Sequence, residues 1–270
     1  MSKENKKIKL AVFDWAGTTV DFGSQAPVQI FDLTFKSFGL NFTKNQINAP
    51  MGMEKKAHIR TMLSSAEGKK LWLDAKNRDW TENDINEIYE KFEENLDKVV
   101  GDYSRVIEGT VSTIEALRKD GIKIASDTGY TSQIMKNVLP VAKKDGYEPD
   151  CTVTPDICGG FSRPAPFMLY ECMKKTGVNN IREVVKIGDT AVDILEGKNA
   201  GCWTVGLLKG SSMMGLSEEE YKNASPKEIE EKKAEASLKY FNAGADFVID
   251  SISDLPSLIK IINLRNGAEE

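Results

Sequence analysis

Three short apolar runs of the 270-residue chain each end in an acid. Residues 8–13 lead into Asp14-Trp15-Ala16-Gly17-Thr18-Thr19, and residues 122–125 into Ser126-Asp127-Thr128-Gly129-Tyr130. Residues 184–187 lead into Gly188-Asp189-Thr190-Ala191-Val192-Asp193. Asp189 and Asp193 stand four residues apart, so at the start of a helix both can point at one locus. Carboxylates that converge without histidine suit Mg²⁺, which keeps several waters and takes one or two protein carboxylates. A bound Mg²⁺ would screen an incoming anion from Asp14 and so make nucleophilic attack on phosphorus possible. Gly17 and Gly129 free backbone amides to approach that anion, and Thr18 and Thr128 add hydroxyl donors. Taken singly, each aspartate is more simply a helix N-cap. Three of them at strand ends point to chemistry.

For these acids to meet, the runs must be neighbouring strands of one sheet. Residues 8–13, 122–125, 184–187, 203–207 and 247–249 are β-branched or aromatic runs without alternation, as strands buried on both faces are. Residues 151–153 are a weaker sixth. Helical patterns over 110–119, 130–141, 166–176 and 193–200 lie between them, with Gly121, Gly177 and Gly201 at expected helix C-caps. This alternation predicts an α/β fold, a Rossmann-like open parallel sheet with helices on both faces. Residues 22–103 break the pattern: Ile85, Ile88, Tyr89, Phe92 and Leu96 recur at helical spacing, and no convincing strand intervenes. The expected organisation is an α/β core of residues 1–21 and 104–270 with an all-helical cap domain, 22–103, inserted after the first strand. Further on, Ser217 with Glu220 and Ser225 with Glu228 read as capping boxes.

Composition excludes several function classes. Lys and Arg number 36 against 41 Asp and Glu, and the net charge of −5 offers no basic footprint for nucleic acid. No apolar run approaches the roughly 18 residues that span a bilayer. The opening MSKENKKIKL carries no signal-peptide cleavage pattern, so a cytoplasmic protein is expected. Cys151, Cys158, Cys172 and Cys202 are too irregularly spaced for zinc and read as reduced thiols. With His58 the one histidine, a His-rich metal site is impossible.

The fragment AVFDWAGTTVDFG, with GDTAVD far downstream, resembles the haloacid dehalogenase superfamily of aspartyl-nucleophile phosphotransferases. More narrowly, essentially the whole chain is similar to the phosphonoacetaldehyde hydrolase (phosphonatase) family. Phosphatases of the superfamily carry a general-acid Asp two positions after the nucleophile, where this chain has Ala16. Such an acid typically contributes about 10²–10⁴-fold for an oxygen leaving group, so a C–P bond is the better target. The family pattern Pro-Met-Gly-x-x-Lys-x-x-His maps onto Pro50-Met51-Gly52-Met53-Glu54-Lys55-Lys56-Ala57-His58. The resemblance implies that Lys55 forms a Schiff base with a substrate aldehyde and that His58 is its proton-transfer neighbour. An iminium beside the departing carbon turns a poor carbanion leaving group into an enamine.

It further implies substrate contacts from Met51, Gly52, Thr128, Tyr130 and Arg163. Mg²⁺ would be held by Asp14, the Ala16 carbonyl and Asp189, with Asp193 behind them. The ligand would be a small phosphonate and the assembly a homodimer. Asp127 departs from the Thr expected in that turn, and Ser24 from a Cys. A carboxylate at 127 would repel a dianion unless it points away or meets a cation. Other readings stand beside this one: a hydrolase of a related phosphonoaldehyde or of a phosphate monoester in the same superfamily, and a signalling phospho-acceptor domain.

Overall fold

Apolar runs without alternation need a sheet covered on both faces, and that is where they lie. The computed structural model describes residues 7–51 and 53–268, so the expectation for Gly52 lies outside the described residues. The chain runs β1 (Leu10–Phe13), α1 (Gln25–Ser37), α2 (Lys44–Asn48), α3 (Lys55–Ser64), α4 (Ala66–Lys76), α5 (Glu82–Tyr103), α6 (Thr110–Lys119), β2 (Lys123–Asp127) and α7 (Ser132–Lys144). It continues through β3 (Cys151–Val153), α8 (Phe167–Thr176), β4 (Val184–Gly188), α9 (Ala191–Ala200), β5 (Trp203–Leu207), α10 (Glu218–Asn223), α11 (Pro226–Asn242), β6 (Phe247–Ile249) and α12 (Leu255–Ala268). The six strands form one parallel sheet in the order β3-β2-β1-β4-β5-β6. The chain thus works outward from β1 to β3, then returns to the far side of β1 with β4. Open sheets form ligand crevices at the carboxyl ends of the strands flanking such a reversal.

Two helices start elsewhere than their periodicity suggests, each because a hydroxyl caps it. Thr131 is extended and accepts from the Ile134 N–H, so α7 begins at Ser132 rather than at 130. Thr190 accepts from the Asp193 N–H while Asp193 reaches back to Thr190, a full capping box that starts α9 at Ala191 rather than at 193. The box at Ser217 and Glu220 is complete. At Ser225 only the half in which the hydroxyl accepts from the Glu228 N–H forms.

Between β1 and α6 the described residues form helices and no strand. Helix α5 buries Ile85, Ile88, Phe92, Leu96 and Val100 on one stripe. Tyr89 is half-buried and donates its hydroxyl to Glu93 at 2.5 Å. Three of these helices meet at Phe31 of α1, whose ring stacks on Phe92 of α5 and on His58 of α3, each at 4.1 Å. The two chain crossings into this helical layer are tied together. Asp21 accepts from the Gln25 and Ala26 N–H groups at 2.9 and 3.0 Å, capping α1, while its own N–H donates to the Arg105 carbonyl at 3.1 Å. No helix among the described residues is long and apolar enough to cross a membrane.

Phe92 is fully buried where α1, α3 and α5 converge. Phe92→Ala should cost about 3–5 kcal/mol, the range for large aromatic truncations in cores. Urea unfolding checks this, and an unchanged midpoint would show that the stack carries no weight.

Candidate active site

The strand-end acids meet at the reversal between β1 and β4. Asp14 follows β1 and Asp189 follows β4, and one carboxylate oxygen each of Asp14, Asp189 and Asp193 lie within 4.8 Å of one another, all buried. The turn after Asp14 is wound tightly: the Thr18, Thr19 and Val20 N–H groups all donate to the Trp15 carbonyl, and the Thr19 hydroxyl donates to that of Asp14 at 3.0 Å. Glycine is required beside it. Gly17 has φ of +83°, and a Cβ there would stand 2.2 Å from Asp189 Oδ2. Gly188 is equally confined, since its Cβ would meet Asp193 Cγ at 2.2 Å.

Asp189 and Asp193 are held by different means. Asp189 Oδ2 accepts from the Ser212 N–H and hydroxyl at 2.8 and 2.6 Å. Asp193 gives Oδ2 to the Thr190 hydroxyl at 2.5 Å as part of its helix cap, and turns Oδ1 to the Arg163 guanidinium at 2.8 Å. Burial pushes the Asp189 carboxyl well above the ordinary range, and its neighbours Asp14 and Asp193 push the same way. Burial also raises Asp14, against the pull of Arg163. Clustered buried carboxylates with a net need for positive charge are the donor set of a hard divalent cation, and the residues present fit one.

The cavity above these acids is about 20 Å³, room for about one water. Its lining brings together Asp14, Ala16, Met51, Lys55, Thr128, Tyr130, Arg163 and Asp189, with Ser24, Gly129 and Thr190. Eight of the anticipated site residues thus share one wall. Lys55 opens α3 behind the N-cap Glu54 and is 5% exposed. Burial lowers its pKa to about 8. Its ammonium lies 5.3 Å from the centre of the Tyr130 ring and 5.9 Å from that of Phe31. Thr128 accepts through its hydroxyl from the Tyr130 N–H at 3.1 Å, and the Tyr130 hydroxyl is buried without a partner.

His58 stands apart from the lining. It is fully buried on Phe31, and neither ring nitrogen completes a hydrogen bond. Burial, then the charge of Lys55, hold it well below its usual pKa, with only the Ile47 backbone pulling the other way. Thr18 is buried with its hydroxyl unpaired, and Trp15 is packed edge-on against Tyr147 at 5.1 Å.

Beneath the cavity lies an ion-pair network that the sequence did not announce. Arg163 meets Asp14 at 2.7 Å, Asp127, Asp193 at 2.8 Å and Glu196 at 3.3 Å. Lys186, at the centre of β4, meets Asp127, Asp193 at 3.2 Å and Glu196 at 3.0 Å. Asp127 therefore does meet cations, two of them. Burial disfavours its charge, yet Arg163 and then Lys186 hold its pKa below the usual range. Burial pushes Glu196 up to about 8. Lys186, Glu196 and Ser212 are the residues sequence reasoning missed. A charged residue inside the otherwise apolar run Val184-Val185-Lys186-Ile187 was the available signal.

Comparison with known proteins agrees with this geometry. Residues 11–207 match the family model of haloacid dehalogenase-like hydrolases, and residues 160–255 a second model of the same kind. A phosphonoacetaldehyde hydrolase of Parabacteroides distasonis is 42% identical over 97% of this chain and 100% of its own length. A bifunctional phosphonoacetaldehyde hydrolase/aminoethylphosphonate transaminase of Clostridioides difficile is 45% identical over 96% of this chain, which spans 41% of that longer protein. A crystal structure of a phosphonoacetaldehyde hydrolase-like protein from Oleispira antarctica superposes with a TM-score of 0.94 at 36% identity, covering 97% of this chain and 95% of that one. The chain belongs to the haloacid dehalogenase-like hydrolases and, within them, to the phosphonoacetaldehyde hydrolase family.

Gly17→Ala would drive a methyl into Asp189 and strain the turn. Calorimetric titration with Mg²⁺ or Mn²⁺ should show affinity lowered about 10–100-fold, the usual effect of disturbing the groups that orient metal ligands. Unchanged affinity would mean that Asp189 does not hold the ion.

Proposed function

We propose that the protein hydrolyses the C–P bond of phosphonoacetaldehyde, giving acetaldehyde and phosphate. The observation that carries this is a buried, partly neutralised lysine facing a strand-end aspartate across one small cavity. At pH 7 a lysine of pKa about 8 is roughly a tenth neutral, against about one in three thousand for an ordinary lysine. The amine of Lys55 condenses with the aldehyde and releases water. An Asp14 carboxylate oxygen then attacks phosphorus. The C–P electron pair passes into the iminium to give an enamine, and the phosphoryl group stays on Asp14 as an acyl phosphate.

A proton returned to the enamine carbon regenerates an imine. The neutral His58, one turn from Lys55, or a bound water would carry that proton. Water finally cleaves both covalent links, restoring Lys55 and Asp14. Mg²⁺, held by Asp14, the Ala16 carbonyl and Asp189 with Asp193 behind, would offset the charge between the carboxylate and the incoming phosphonate. Met51, Thr128, Tyr130 and Arg163 would line the bound substrate; Gly52, outside the described residues, belongs to the same expectation.

In this reading residues 22–103 act as a cap over a core of 1–21 and 104–270. The cavity of about 20 Å³ fits this reading, in which the cap opens to admit the substrate. A homodimer belongs to the same reading. Four unpaired cysteines fit a cytoplasmic setting.

Two measurements test the proposal. Purified protein with Mg²⁺ should release acetaldehyde and phosphate from phosphonoacetaldehyde, and Lys55→Arg, which cannot form an imine, should fall to background. Retained activity in Lys55→Arg would favour a phosphatase-like route without the imine. In the free enzyme, kcat/KM should rise with pH and level off above about 8, because deprotonation of Lys55 creates the nucleophile. A profile flat from pH 6 to 9 would contradict that assignment.

A further inference from the structure

Arg163 is surrounded. Its Nη2 atom is shared between Asp14 Oδ1, at 2.7 Å, and Asp127 Oδ1. On the other faces stand Asp193 at 2.8 Å from Nη1 and Glu196 at 3.3 Å from Nε. The two hydrogens of Nη2 are thus both directed at carboxylates. Nη2 is the end of the guanidinium that meets Asp14, and any phosphoryl oxygen arriving at Asp14 must find Arg163 there.

Asp127 is fully buried at the tip of β2, directly before Thr128 and Gly129 of the cavity wall. Lys186 holds the same Oδ1 from below. The acid is therefore fixed in place and charged, beside the anion-binding fork of Arg163.

We propose that Asp127 competes with the phosphoryl group for Arg163 and so sets how tightly the site holds its anionic ligand. The inference rests on the phosphoryl-transfer reading of the site. Its physical content is local. An anion approaching Arg163 meets the opposing field of Asp127 at short range, in a water-poor environment where such terms are large. Without that charge, one Nη2 hydrogen is free to turn to a phosphoryl oxygen, and the cavity becomes more positive by one unit. Asp127 thereby weakens product retention, at the expense of some substrate affinity. Its contribution is to positioning and balance, because it touches Arg163 and not the reacting atoms.

The test measures inorganic phosphate binding to the full-length, Mg²⁺-loaded protein by calorimetry, in wild type and in Asp127→Asn, Asp127→Thr and Asp127→Glu. Asn and Thr should bind phosphate about tenfold more tightly, the size expected for removing one nearby opposing charge after partial screening. KM for phosphonoacetaldehyde should fall in the same variants while kcat does not rise, and Glu should keep wild-type phosphate affinity. Thermal melts establish which variants fold, and Thr, the residue that the resemblance leads one to expect at 127, decides if Asn does not. Unchanged or weaker phosphate binding in a folded Asn or Thr variant overturns the inference, since a merely structural role would only lower affinity. Wild-type turnover is scored separately. Absent turnover with shifted phosphate affinity would refute the substrate reading and leave the role of Asp127 standing.

Discussion

Everything at this site depends on the concentration of buried negative charge at one reversal of the sheet. Asp14, Asp127, Asp189, Asp193 and Glu196 are all buried there, against two buried cations in contact with them, Arg163 and Lys186. Ions removed from water are expensive unless paired, and here the pairing is incomplete. The remainder creates a demand for a divalent cation at Asp14, Asp189 and Asp193. Gly17 and Gly188 exist in the sequence because Asp189 and Asp193 must approach the backbone so closely.

The helical layer supplies the second condition. The proposed role of Lys55 as a nucleophile requires that water be kept from it, and burial is the main cause of its lowered pKa. That burial comes from α3, which brings Lys55 over the strand ends beside Met51 of the preceding turn, and from the Phe31, His58 and Phe92 stack that fixes α3 to α1 and α5. In the proposed mechanism closure and activation are one event, because the contacts that bury Lys55 also lower its pKa. An open cap would expose Lys55 and return it toward an ordinary, protonated amine.

How much of this was legible in the sequence follows the range of the interactions. Strand-end acids, the helical insertion and the Lys55 segment are read from local order, because apolar runs and three- or four-residue spacing are properties of neighbours in the chain. Helix starts at 132 and 191 were missed by two residues, since a capping threonine outweighs periodicity there. The partners of Asp127 were out of reach. Lys186 is 59 residues away and Arg163 is 36 away, and only the parallel pairing of β2, β1 and β4 brings Lys186 beneath the cavity. The surroundings of His58 were equally out of reach. Its spacing from Lys55 puts both side chains against Phe31, but the stack that buries the ring away from the cavity lining depends on residues of α1 and α5 far along the chain.

The central claim is that Lys55 carries the substrate carbon covalently while the C–P bond breaks. Borohydride added during turnover of phosphonoacetaldehyde, followed by peptide mass spectrometry, tests it most directly. The account predicts irreversible inactivation with an N-ethyl group on Lys55, the reduced form of the imine left after phosphorus has departed. Rapid turnover with no adduct, or an adduct on a surface lysine alone, would contradict it.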